Sequence, residues 1–225
     1  MPGPDLILLG DSHTGALHQA AVARGMDARL LYINGNFWHE NRMRWHPRMG
    51  IGAKYRPRLQ RQIRDLAQSL GGTVFPADTP VLASIGYHLG RLVPRLARLG
   101  HTPDPHHAET DDRLFLSQAF LDAYILSQRG NLIDLLASAA RVAPVVVIAP
   151  PMIQTDPVAL YVANRITELL LARGVRVFDP RREPDWAGQP LPEALRAPDQ
   201  VHGNAAYGEA VLARLFDRGL LPGAA

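Results

Sequence analysis

Five short apolar runs recur along the chain: DLILLG (5–10), ARLLYI (28–33), PVLASIG (80–86), PVVVIAP (144–150) and GVRVFD (174–179). The apolar character within each is continuous and lacks the alternation of a sheet with one wet face. Each therefore reads as a strand covered on both sides. Between them lie stretches of helical periodicity at 14–24, 56–70, 113–142 (with Gly130 as the place where a break would fall), 157–172 and 204–218. Strand and helix in alternation specify an α/β domain with a mostly parallel sheet and right-handed crossovers. Ligands bind such sheets at the carboxyl ends of the strands. Chemistry is expected just after residues 10, 33, 85, 149 and 179.

Residues 34–55 and 100–112 interrupt this rhythm. Both are long for connections in a compact domain, both follow a strand, and loops of that size serve as lids or binding loops. They are expected on the ligand side. Residues 181–200, punctuated by proline, read as a surface run towards the last helix. No repeat, low-complexity tract or shift in composition divides the 225 residues, so a single domain over 1–225 is expected.

Composition narrows the class. With 47% hydrophobic and 20% charged residues, the chain is neither disordered nor fibrous in character. No apolar run approaches the roughly 18 residues that cross a bilayer, and MPGPDLILLG lacks the basic region of a secretory signal. A cytoplasmic protein without a membrane partner is expected. The absence of cysteine excludes disulfides, thiolate metal sites and a cysteine nucleophile. Formal charge is only +3, but Arg42, Arg44, Arg48, Lys54, Arg56, Arg58, Arg61 and Arg64 crowd one stretch beside Trp45 and Tyr55. Such a stretch can attract an acidic ligand. It reads more simply as a solvated face of an arginine-rich chain, and no nucleic-acid partner is expected.

The stretch LILLGDSHTGAL (6–17) carries Ser12 where the first strand turns into the first helix. A hydroxyl there is exposed, and the N–H groups of the helix start lie close enough to stabilise an oxyanion. Serine is a weak nucleophile until a base takes its proton, which calls for a histidine oriented by a carboxylate. Near the other end, PDQVHGNAAYGEAVLARLF places Asp199 three residues before His202 in the loop that opens the last helix. That spacing lets the carboxylate curl back to the imidazole. Taken singly, Ser12 suits a helix N-cap, and Asp199 and His202 suit a surface turn. Together they bracket one α/β domain.

This combination resembles the SGNH, or GDSL-type, hydrolase family. Gly10, Asp11 and Ser12 match its first block, Asp199 and His202 match its final Asp-x-x-His, and the layout is similar over the whole chain. The resemblance implies a three-layer α/β/α sandwich around five parallel strands. It also implies ester hydrolysis in which Ser12 attacks, His202 is the base and Asp199 orients it. Gly35 in YINGNF stands where the family has an oxyanion-hole glycine, joining the Ser12 N–H. The family's Gly-x-Asn block departs here: SIGYHLG keeps Gly86 but has His88 in place of asparagine. Either His88 donates in its stead, or Asn34 or Asn36 supplies the amide from the neighbouring loop, or the site is weakened or specialised by the loss of one donor.

Further substrate contacts are expected from His13, Trp38, Arg42 and Tyr87. Asp11 is expected to brace the turn, and APPMIQTD, after the fourth strand, to carry the chain over the site. Metal chemistry has less support. GDSH contains an Asp-x-His, but the further Gly-Asp and Gly-Asn-His blocks of two-metal phosphoesterases are missing, and His101, Asp104, His106, His107 and Glu109 lack regular ligand spacing. No Gly-x-Ser-x-Gly elbow is present either. The reading is a serine esterase without metal or cofactor, acting on a small-molecule or carbohydrate ester such as an O-acetyl sugar. Its alternatives are an acyltransferase with the same triad and a non-catalytic binding module of the same fold.

Overall fold

The structure is a computed structural model that describes residues 3–39, 42–94, 96, 99–111, 113–153 and 155–222. Its centre is a five-stranded parallel sheet. In chain order the sheet strands are β1 (Leu6–Gly10), β2 (Ala28–Tyr32), β5 (Val81–Ser84), β8 (Val145–Ile148) and β9 (Arg176–Phe178), and in space they run β2-β1-β5-β8-β9. All five apolar runs became its strands. The order reverses direction between β1 and β5, where the connections leave to opposite sides and open a crevice at the strand ends.

Continuous apolar strands are explained by what covers them. Ile7 and Leu9 face one side, with Val81, Ala83, Val145 and Val147. Helices α3 (Pro57–Ser69), α6 (Gln118–Ala140) and α7 (Pro157–Leu171) bury that side. Leu6 and Leu8 face the other, with Leu82 and Val146, under α1 (Thr14–Ala23) and α8 (Ala205–Asp217). The chain is thus a three-layer α/β/α sandwich. Helix α6 runs through Gly130 without a break, its apolar face anchored on both sides of the glycine by Ile125, Leu132 and Leu136. No helix among the described residues is long and apolar enough to cross a membrane.

The two long intervals are structured. Residues 34–55 form a short helix α2 (Gly35–His39) and an antiparallel hairpin of β3 (Met43–His46) and β4 (Gly50–Ala53). Met43 and Ile51 are fully buried, and Trp45 stacks on Phe75 with ring centroids 5.9 Å apart. The hairpin is therefore part of the core layer and not a cover over the strand ends. Residues 100–112 contain β6 (His101–Thr102) and α5 (Pro105–Thr110), with Asp104 capping the helix through the His106 N–H; β7 (Leu114–Phe115) pairs with β6. A further short helix, α4 (Leu89–Leu92), follows β5.

Candidate active site

The β1–α1 turn exposes Ser12 and buries Asp11. His13 is the residue flanking the helix start, with no side-chain cap, so Ser12 is released from capping. Asp11 holds the turn: its Oδ1 accepts the His13 N–H at 3.1 Å and its carbonyl accepts the Thr14 N–H. Among the described residues, the N–H groups of Ser12 and Gly35 make no hydrogen bond, and both residues line the same cleft.

The loop before α8 is built to present His202. Gln200 takes a left-handed conformation (φ 57°), which folds Asp199 back so that its Oδ1 accepts the N–H groups of Val201 (2.9 Å) and His202 (3.1 Å). Asn204 ties the loop to the helix: Oδ1 accepts the Tyr207 N–H, and Nδ2 donates to the carbonyls of Ala194 and Arg196. Asp199 Oδ2 then lies 2.6 Å from His202 Nδ1, and His202 Nε2 lies 2.6 Å from Ser12 Oγ. The hydrogen bond from His202, with those from the two backbone N–H groups, lowers the Asp199 carboxyl to about 2. An ionised Asp199 fixes the proton on Nδ1, so Nε2 accepts from the Ser12 hydroxyl.

These groups are 190 residues apart in sequence, and the packing of α8 on α1 brings them together. Gly208 is the contact point. A Cβ there would sit 2.1 Å from the Ala16 carbonyl oxygen, an approach only glycine permits. Arg24 at the end of α1 makes a bidentate pair with Glu209 at 2.6–3.0 Å, which fixes the register of the two helices.

A second imidazole–carboxylate pair lies beneath the turn. His88 Nε2 is 2.8 Å from Asp11 Oδ2, with side chains only 4% and 9% exposed. Burial pushes the Asp11 carboxyl up, but the hydrogen bond and charge of His88 outweigh it and leave the carboxyl below its ordinary value. A Cβ on Gly35 would lie 3.3 Å from the His88 ring and 3.5 Å from Asp11 Oδ2, so the pair packs directly under Gly35. Both His88 ring nitrogens are closed to solvent, with Nε2 facing Asp11 and Nδ1 without a hydrogen-bond partner among the described residues. An oxyanion in the cleft could not touch them either. This corrects the expectation that the His88 side chain donates in place of the asparagine.

His88 itself is left-handed (φ 43°), a conformation costing of order 1–3 kcal/mol for a non-glycine residue. Arg129, fully buried in α6, holds that segment by donating to the carbonyls of Tyr87 (3.3 Å) and His88 (3.5 Å). Burial lowers its guanidinium to about 10, so it keeps its charge at neutral pH. Nothing in the helical pattern of α6 distinguishes Arg129 from a surface arginine, and sequence reasoning passed over it.

The cleft has a volume of about 610 Å³. Its walls include Tyr32, Asn34 and Gly35 at and after the end of β2, residues 84 and 87–91 at and after the end of β5, and residues 148–153 at and after the end of β8. Of the expected substrate contacts, His13 lies on it, its ring centroid 4.5 Å from that of His202; desolvation lowers its imidazole to about 4, so it is neutral at physiological pH. Tyr87 lines the floor, its hydroxyl bound to Thr167 Oγ1 at 2.8 Å. Trp38 does not reach the cleft: it is fully buried, and its indole N–H donates to the Ile33 carbonyl at 3.0 Å. Arg42, just before β3, is not part of the lining either. Asn34 lies on the wall, whereas the Asn36 side chain lies outside the described residues.

No family model matches the chain, and no curated protein matches it. Among solved structures it is similar to the psychrotrophic esterase EstA from Pseudoalteromonas sp., at 14% identity over 96% of this chain and 97% of that one, with a TM-score of 0.48. It is also similar to Axe2, an acetylxylan esterase from Geobacillus stearothermophilus (16% identity, 97% and 94% covered, TM-score 0.48). A third is LAE5, an alpha/beta hydrolase enzyme from the metagenome of Lake Arreo, Spain (17% identity, 98% and 97% covered, TM-score 0.48).

Proposed function

We propose that the protein is a serine ester hydrolase of the SGNH type. The observation that carries this reading is the unbroken relay from Asp199 Oδ2 through His202 to Ser12 Oγ, with both contacts at 2.6 Å. As Ser12 attacks the ester carbonyl carbon, its proton passes to His202 Nε2. The charge that develops on the carbonyl oxygen is met by the Ser12 and Gly35 N–H groups, with the Asn34 amide on the same wall. His202 then gives the proton to the departing alkoxide, which leaves an acyl group on Ser12. Water repeats the sequence with His202 as base and frees the acid. Every proton transfer falls to a side chain of this chain, and the reading calls for no cofactor.

In this reading His88 is a positioning residue. Through Asp11 it holds the Ser12 turn, and by packing under Gly35 it sets the second N–H donor at a fixed distance from the first.

A fluorophosphonate probe tests the nucleophile directly. The wild-type chain should label, and Ser12→Ala and His202→Ala should not. Persistent labelling of Ser12→Ala would mean another residue is the nucleophile. Product analysis with and without added alcohols then separates water from an alcohol as the acyl acceptor.

A further inference from the structure

We infer that the β8 end of the cleft is an acyl site for an apolar chain of about six carbons, longer than acetyl. This rests on the ester hydrolase reading and names its substrate class. The leaving alkoxide must sit beside His202, which enters from the α8 face of the sheet. The acyl chain therefore takes the side away from it. There the cleft passes over β5 and β8 and is walled by α7, which covers the opposite face of the sheet from α8. Two strand spacings separate β1, which carries Ser12, from β8, or roughly 10 Å. An acetyl group would leave that length empty.

The walls over this distance are Leu89 and Leu160, backed by Ala159 and Ala163, whereas Ile153 of the lining packs with the α1–α8 layer. Ala159 and Ala163 stand one helical turn apart on one face of α7, and their small size keeps the space open. Of the two arginines in the lining, Arg181 is matched by Asp179 at 2.6 Å, and Arg91 is exposed at the rim. At the other end, beyond Tyr32 and Asn34, the cleft adjoins a recess of about 350 Å³ lined by Phe37, Tyr55, Arg56 and Arg58 among others.

The test is a chain-length series of p-nitrophenyl esters from acetate to octanoate. With the wild-type chain, kcat/KM should rise roughly fourfold per added methylene up to about hexanoate, as expected for burying each CH2. Ala163→Leu should lower the hexanoate-to-acetate ratio tenfold or more. Leu160→Ser, at a partly exposed wall position, should lower it severalfold. A wild-type profile that peaks at acetate, with a ratio unmoved in both variants, overturns the proposal. Alkyl fluorophosphonates of the same lengths separate the two failures. Faster labelling by longer probes without ester hydrolysis keeps the acyl site and discards the hydrolase reading; equal labelling at all lengths discards the acyl site while keeping the nucleophile.

Discussion

Two imidazole–carboxylate pairs flank Ser12, and they differ in what they leave free. Asp199–His202 is 52% and 23% exposed and offers Nε2 to the serine hydroxyl. Asp11–His88 has nearly the same separation, 2.8 Å against 2.6 Å, yet is closed off from solvent with both ring nitrogens inside the protein. Residue type and distance are shared. In the proposed hydrolase, burial and the fate of the second nitrogen would fit one pair for proton transfer and the other for architecture.

Breaking the first pair should have the largest effect on turnover. Asp199→Asn is expected to reduce kcat on the order of 10⁴-fold, because the amide no longer selects the tautomer with Nε2 free. Its melting temperature should stay close to wild type, since the site is exposed. A steady-state assay beside a thermal melt checks both halves. A kcat within tenfold of wild type would show that His202 needs no orienting carboxylate.

Breaking the second pair should invert that pattern. Asp11→Asn leaves a buried imidazole without its charged partner, at a cost of about 3 kcal/mol, and the melting temperature should drop by roughly 6–12 °C for a domain of this size. Turnover should fall only about 10- to 100-fold through displaced N–H donors, with KM little changed and fluorophosphonate labelling retained. Complete loss of labelling in a folded Asp11→Asn protein would place Asp11 in the reaction itself.

The unequal legibility of the two pairs in the sequence has a physical basis. Ser12 and the Asp199–His202 turn sit at the junctions of strongly periodic elements, so short motifs locate them. The contact between His88 and Asp11 depends on a left-handed backbone and on Arg129 reaching across from α6, neither of which has a periodic signature. The central strands β1 and β8 were legible because burial on both faces leaves nothing polar in them, and the edge strands β2 and β9 kept enough of that apolar character to follow despite Arg29 and Arg176. The β3–β4 hairpin was not: Met43, Trp45 and Ile51 alternate inward over only four residues per strand, too short a run to separate from a loop rich in arginine. The same shortness put Trp38 among the expected substrate contacts, although its indole is spent inside the core. The apolar walls left one trace, the Pro-Met-Ile of residues 151–153 emerging after a strand on the side where ligands bind.

The smallest expected effect sharpens the comparison by way of the third histidine. The His13 ring packs at a tilt of 56° against that of His202, and desolvation lowers it from an ordinary 6.5 to about 4. Above about pH 6.5 it is neutral both folded and unfolded, and it contributes nothing to the pH dependence of stability. Between about 6.5 and 4 the unfolded chain takes up a proton that the folded chain refuses, so stability falls as the pH is lowered through that window. His13→Asn removes this group, and the difference in melting temperature between variant and wild type should shift in the variant's favour from pH 7 to pH 4.5. The acid limb of kcat/KM should keep its midpoint in His13→Asn if the imidazole beside the nucleophile is neutral throughout. A midpoint that moves upward on substitution would mean instead that His13 carries charge in the active form and depresses the proton affinity of His202.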